Sequence, residues 1–154
     1  MANELKEWVL AASVRAEVRE AIRALYQELQ REIDRRRPLC VMSGRCCRFD
    51  EYGHRMFVTT AELGAFAAEL GEAGIKPGEA SGGGCVFQTG KICRVHAIRP
   101  MGCRVFFCDA TATEWQQQTY EAFHGRLKKL HEQLSVPYCY VEWRFACREI
   151  GWQL

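Results

Sequence analysis

Seven of the nine cysteines in this 154-residue chain fall between Cys40 and Cys108, and none of the nine forms a C-x-x-C pair. They are Cys40, Cys46, Cys47, Cys85, Cys93, Cys103 and Cys108. Thiolates are soft, strong metal ligands, so such a density in one stretch points first to a metal ion or cluster. Four thiolates gathered in one place repel one another unless a cation or cluster neutralises them. The middle of the chain is therefore expected to be organised by what it binds, and it is poor in long elements of its own.

The redox setting follows from two observations. Nine cysteines cannot all be paired, so a disulfide framework would leave at least one thiol over. The apolar run Trp8 to Ala12 is preceded by Glu4 and Glu7 and continues into a charged amphipathic pattern, unlike a secretion signal. The expected location is the cytoplasm, where thiols stay reduced. No apolar stretch approaches the roughly 18 residues of a membrane span. A net charge of +2 gives no global case for nucleic-acid or membrane partners.

A chain of this length suits a single domain over 1–154, in three parts. Residues 3–36 read as one N-terminal helix, with Leu5, Trp8, Val9, Ala12, Val18, Ile22, Leu25, Leu29 and Ile33 at helical spacing. Several apolar residues lie outside a narrow stripe, which suggests more than one neighbour, including a second copy of the chain in a homodimer. Arg35-Arg36-Arg37 before Pro38 reads as a solvated terminus matched to the helix dipole rather than a nucleic-acid patch.

The cysteine-rich core, 40–108, holds one short helix. Thr59 to Glu62 has capping-box spacing, Leu63, Phe66 and Leu70 form its apolar face, and Gly71 closes it. Five glycines and Pro77 between Gly74 and Gly84 read as a loop. Cys85–Phe87 and Ile92–Arg94 are expected to pair as a hairpin around 88–91, and Cys103–Phe107 to form a further short strand. The last part, 113–154, opens with a helix over Thr113–Leu134, capped by Asp109, Thr111 or Thr113 and stopped by Pro137. Its aromatic tail has no clear period, and strand, helix and irregular packing all remain open.

Zinc and iron–sulfur chemistry are separated by spacing. Structural zinc sites favour two C-x2–4-C hooks. Here Cys103 and Cys108 come nearest to one, with four residues between them. A cluster is larger and accepts ligands from separate loops. The spacing thus favours a 4Fe-4S cluster, with zinc as the alternative. Between Cys85 and Arg104 the chain carries Lys91, Arg94, Arg99 and Arg104 and no acidic residue. A tetrathiolate centre holds a net charge of about minus two, which Arg99 and Arg104 are placed to compensate.

Of the histidines, His96 lies between Cys93 and Cys103 as a candidate nitrogen ligand, while His54 has no assigned role. His124 and His131 share one helix face and read as surface or interhelical packing. Asp50, Glu51 and Glu142 read as solvated. Cys139 and Cys147 read as core thiols, a reading that depends on whether the tail folds back on the middle part.

Cys40 to Cys47 with Arg48, Val58 to Leu63, Cys85-Val86-Phe87, Ile92-Cys93 and Arg99 to Arg104 together resemble the widespread bacterial cysteine-cluster family named for a CxxCxxxxCC pattern and described as zinc- or iron-chelating. The resemblance covers roughly residues 40 to 108. It implies metal binding through Cys46, Cys47, Cys85, Cys93 and Cys103, with Cys40 a weaker counterpart. One cysteine stands here in place of two, with Ser43 in the gap. The same region resembles the cysteine-rich part of flagellin lysine N-methylases, which implies an iron–sulfur cluster. Neither a glycine-rich motif for a methyl donor nor a C-x3-C-x2-C radical hook is present, so that activity does not carry over.

The expected protein is mainly α, with long N- and C-terminal helices around a cysteine-rich, metal-binding centre that carries a small irregular hairpin. The expected function is a cytoplasmic metal protein holding a 4Fe-4S cluster for redox, sensing or metal handling, with an unidentified redox or protein partner. The alternatives are a structural zinc interaction module and a small cluster-dependent enzyme that modifies proteins.

Overall fold

The computed structural model describes residues 2–38, 55–78, 84–90, 92–107 and 109–152. These fold into α1 (Ala2–Ser13), α2 (Ala16–Arg36), β1 (Phe57–Thr59), α3 (Thr60–Ala73), β2 (Gln88–Thr89), β3 (Ile92–Cys93), α4 (Met101–Val105), α5 (Thr113–Leu134), β4 (Tyr140–Glu142) and α6 (Trp143–Ile150). The architecture is mainly helical, with two small antiparallel two-stranded sheets.

The N-terminal run is two helices, not one. Buried positions are Leu5, Val9 and Ala12 before the break, then Val18, Ile22, Leu25, Leu29 and Ile33 after it. On a straight helix the step from Ala12 to Val18 would turn the two stripes about 120° apart. Arg15, extended at φ −98° and ψ 110°, absorbs that mismatch. Around the break the Ser13 hydroxyl donates to Leu10 O and Arg15 N–H to Ala12 O. The apolar width of the run therefore comes from two stripes: Leu5 and Val9 serve one half of the core, and Ala12 joins the α2 stripe in the other.

α3 stands between those halves. Its Leu63, Phe66 and Leu70 join Leu5, Val9, Phe87, Val141 and Trp143 on one side. Its Ala61 and Ala65 join Ile22, Leu25, Leu29, Phe123 and Leu127 on the other. The expected capping box forms in full: Thr59 Oγ1 accepts the Glu62 N–H while the Glu62 carboxylate accepts the Thr59 N–H at 2.9 Å. The helix runs through Gly71 and ends at Gly74, whose φ of 67° suits a residue without a side chain. At Gly64 the helix meets α1 so closely that a Cβ would lie 2.6 Å from Ala12 Cβ.

α5 has the expected bounds. Asp109 caps the short 3-10 turn Ala110–Ala112 that leads into it, accepting from Thr111 N–H, rather than capping α5 itself. Ser135, in the left-handed region at φ 54°, ends it two residues before Pro137. The aromatic tail resolves into β4 and α6. Strand β4 pairs with β1 in the register Phe57↔Glu142, Val58↔Val141 and Thr59↔Tyr140, tying the tail to the middle of the chain.

Two local expectations differ. The hairpin forms, but its ladder is Gln88↔Cys93 and Thr89↔Ile92, so Cys85–Phe87 lies in the turn that precedes it. The expected strand at Cys103–Phe107 begins instead as α4, with Pro100 at its N-cap. Buried Met101 and Val105 lie four apart, a helical spacing that outweighs the β-propensity of the Val-Phe-Phe run.

Candidate metal centre

Of the seven candidate ligands, Cys85, Cys93 and Cys103 are described; Cys40, Cys46, Cys47 and Cys108 lie outside the described residues, as do His54, Asp50, Glu51 and Lys91. The three described thiols belong to or pack against the aromatic half of the core. Cys85 is buried within it, and Cys93 and Cys103 pack against it half-buried. Among the described residues alone, no three His, Cys, Asp or Glu side chains converge on a metal position.

Each thiol is held by local structure. The Cys85 carbonyl accepts from Gln88 N–H at 3.1 Å, and the next carbonyl, Val86 O, accepts from Gly78 N–H at 2.8 Å. Arg94 fastens the same turn, donating to Val86 O at 2.9 Å and to Lys76 O at 2.6 Å. Cys93 ends the hairpin opposite Gln88. Cys103 sits in the first turn of α4, where its Sγ lies 2.9 Å from Met56 Sδ. Gly102 allows that approach, since a Cβ there would fall 2.8 Å from Met56 Cγ.

The arginines expected to compensate a cluster fold onto the chain's own backbone between Cys93 and Cys103. Arg99 donates to His96 O at 2.5 Å. Arg104 donates to Arg99 O at 2.6 Å and to Ala97 O at 3.2 Å, and its guanidinium lies over the Tyr26 ring at 4.3 Å. Burial pushes the Arg104 guanidinium below its ordinary pKa. Together they staple the turn at 96–99 that leads into α4 and Cys103. His96 is exposed, and its Nδ1 lies 3.2 Å from Arg99; partial burial, then the charges of Arg99 and Arg104, lower its pKa.

The chemistry of these donors fits a soft metal or cluster. Cys85 Sγ accepts the indole N–H of Trp143 at 3.3 Å, the kind of donor that stabilises a thiolate. Arg94 Nε, beside Cys93 in sequence, is buried and makes no hydrogen bond among the described residues. A 240 Å³ cavity reaches Cys103 between Arg55, Met56, Phe57, Phe106, Tyr120 and Tyr140, and no carboxylate among the described residues lines it. Sulfur ligands, N–H donors and cations without competing acids are what a negatively charged thiolate centre requires.

Three features escaped sequence reasoning. Trp143 is 58 residues from Cys85 and carries no motif. Glu62 is visible as a cap but also acts as a buried hub, accepting from Tyr26 O–H at 2.8 Å and from Met101 N–H at 2.9 Å. It thereby joins α2 and α3 to the start of α4, two residues before Cys103. Glu142, expected to be solvated, is half-buried and caps α6, accepting from Phe145 N–H at 2.7 Å and Arg144 at 2.8 Å. The tail does fold back: Cys147 lies in the same core as Cys85, and burial, then the nearby Cys85, pushes its thiol far up.

His131 is interhelical packing, as expected, and His124 stacks on Tyr140 at the surface. The arginine run ends α2 in the manner of a dipole-matched terminus, with Arg35 paired to Glu32 at 2.8 Å and Arg36 donating to Thr111 O at 3.1 Å. No helix among the described residues is long and apolar enough to cross a membrane.

A cysteine-rich middle segment on a small helical scaffold defines the class, and the family comparison agrees. Residues 39–122, more than half of the chain, match the model of the CxxCxxCC family, described as a "putative zinc- or iron-chelating domain". The chain belongs to that family. The family name leaves two residues, not the expected four, before the cysteine pair, and Cys40, Cys46 and Cys47 keep three of its four cysteines with Ser43 in the second place. Comparison with curated proteins and with solved structures returned no match, so the relation to flagellin methylases is not shown.

Proposed function

We propose that this protein holds a 4Fe-4S cluster through cysteine thiolates and works as a redox, sensing or metal-handling protein. The observation that carries the reading is that Cys85, Cys93 and Cys103, from separate stretches of the chain, all belong to or pack against the same half of the core. Cys40, Cys46, Cys47 and Cys108 complete the candidate ligand set. A cluster accepts such dispersed ligands, whereas a structural zinc site prefers hooks of two ligands on one turn. Arg99 and Arg104 support the site by holding the turn that leads into Cys103 and by setting positive charge near a centre of net negative charge. A cytoplasmic location and an unidentified redox or protein partner belong to the same proposal, as does a homodimer through the N-terminal helices.

Anaerobic purification followed by absorption spectroscopy and metal analysis tests it. A brown protein absorbing near 400 nm with about four irons per chain is the expected result. Colourless protein with stoichiometric zinc would replace this reading with a structural zinc module. Replacing Cys85, Cys93 or Cys103 by Ser is expected to abolish metal binding and to destabilise the fold.

A further inference from the structure

We propose that Trp143 is a positioning residue of the metal centre, its indole N–H fixing the Cys85 sulfur and withdrawing charge from it. The inference deepens the cluster reading and rests on Cys85 being a ligand. The bond is 3.3 Å long and joins two buried side chains, Trp143 at 1% exposure and Cys85 at 7%. At that depth no solvent competes for the donor or the sulfur.

Both partners are held from outside the bond. The Trp143 backbone N–H donates to Met56 O at 2.8 Å, extending the β1–β4 pairing past its last strand residue. Its ring meets Phe66 edge-on at 5.2 Å and lies 6.2 Å from both Phe87 and Trp152. The Cys85 turn is separately fixed by Gln88, Gly78 and Arg94. The indole therefore cannot leave the sulfur without disturbing the core, and the hydrogen bond is pre-formed.

The chemistry follows from charge. A hydrogen bond to a ligating sulfur favours whichever oxidation state places more negative charge on it, which for a cluster is the reduced one. Trp143 thus raises the reduction potential of the centre and orients one ligand. Trp152 shares the same aromatic cluster and makes no hydrogen bond to a sulfur among the described residues, so it serves as the structural control.

The test uses the anaerobically purified full chain carrying its cluster, with midpoint potential and visible absorption as readouts. Trp143→Phe is expected to keep the cluster and shift the midpoint to lower potential, with Trp152→Phe leaving it in place. Because Trp143→Phe also trims a packed ring, a second variant carries 3-benzothienyl-alanine at position 143, which keeps the ring shape and lacks the N–H. The same downward shift there supports the hydrogen bond as the cause. An unchanged midpoint in the benzothienyl variant, with the cluster present, overturns this inference and leaves the cluster reading standing. Wild-type protein that assembles no cluster removes both.

Discussion

His131 Nε2 accepts the peptide N–H of Ala61 at 3.1 Å, while its Nδ1 lies 2.7 Å from Leu127 O, so a neutral imidazole bridges α5 to the first turn of α3. The ring is 2% exposed, and burial lowers its pKa below the ordinary value of 6.5. Only the neutral form satisfies both contacts, because one nitrogen must accept as the other donates. In the window between its lowered folded value and about 6.5 the unfolded chain binds a proton that the folded chain does not, so stability rises with pH there. Urea midpoints are expected to fall as pH drops below about 6.5, and to fall less steeply in His131→Gln. A variant as steep as the wild type would assign the dependence to other groups, such as His96 and His124, whose pKa values burial also lowers.

Gly64 marks the closest crossing of α1 and α3. An added Cβ would meet Ala12 Cβ at 2.6 Å and the Ala12 carbonyl carbon at 3.2 Å, and backbone atoms cannot rotate aside. Gly64→Ala is expected to cost about 1–3 kcal/mol despite its gain in helix propensity. The double variant Gly64→Ala with Ala12→Gly removes the closest contact and is expected to recover part of that loss in chemical denaturation. No recovery would mean that the backbone contacts, not the two methyl groups, set the crossing.

Glu62 is the point where the fold and the candidate centre meet. Its carboxylate takes donors from Thr59, Tyr26 and the Met101 peptide, and it is 2% exposed. Glutamine in its place turns an amide NH2 toward groups that are themselves donors, which costs about 3 kcal/mol as in other broken buried pairs. Tyr26→Phe removes a single donor and is expected to cost about 1 kcal/mol. Because Met101 N–H anchors α4 just before Cys103, Glu62→Gln is also expected to lower metal content in the purified protein. Tyr26→Phe is expected to leave metal content unchanged.

What the chain reveals as a string differs from element to element for physical reasons. The cap at Thr59 and the bounds of α5 rest on local chemistry, namely a hydroxyl and a carboxylate three residues apart and a long period of helical spacing, so they are legible. The break at Val14-Arg15 was present as a phase slip between Ala12 and Val18, but a tally of apolar positions hides phase. Cys103–Phe107 reads as a strand because its side chains favour one, and it begins as a helix because Pro100 and Glu62 start one. The cysteines announce a metal centre by their density. The partner of Cys85 does not announce itself, because only the β1–β4 pairing brings Trp143 across 58 residues to its sulfur.

Cys139 tests the bounds of the candidate ligand set. Its peptide N–H donates to Thr60 Oγ1 at 2.9 Å and its carbonyl accepts the Thr60 N–H at 3.2 Å, so its backbone is committed to joining α3 and β4. The side chain is 8% exposed, and burial raises its pKa. Cys139→Ser places a hydroxyl in that apolar setting and is expected to cost about 1–3 kcal/mol. Its metal content is nonetheless expected to equal that of the wild type, in contrast to Cys85→Ser. The comparison is made at a temperature where both variants remain folded by circular dichroism, with iron and zinc measured per chain. Loss of metal from Cys139→Ser alongside retained helicity would add this thiol to the ligand set and move the centre toward the β1–β4 edge.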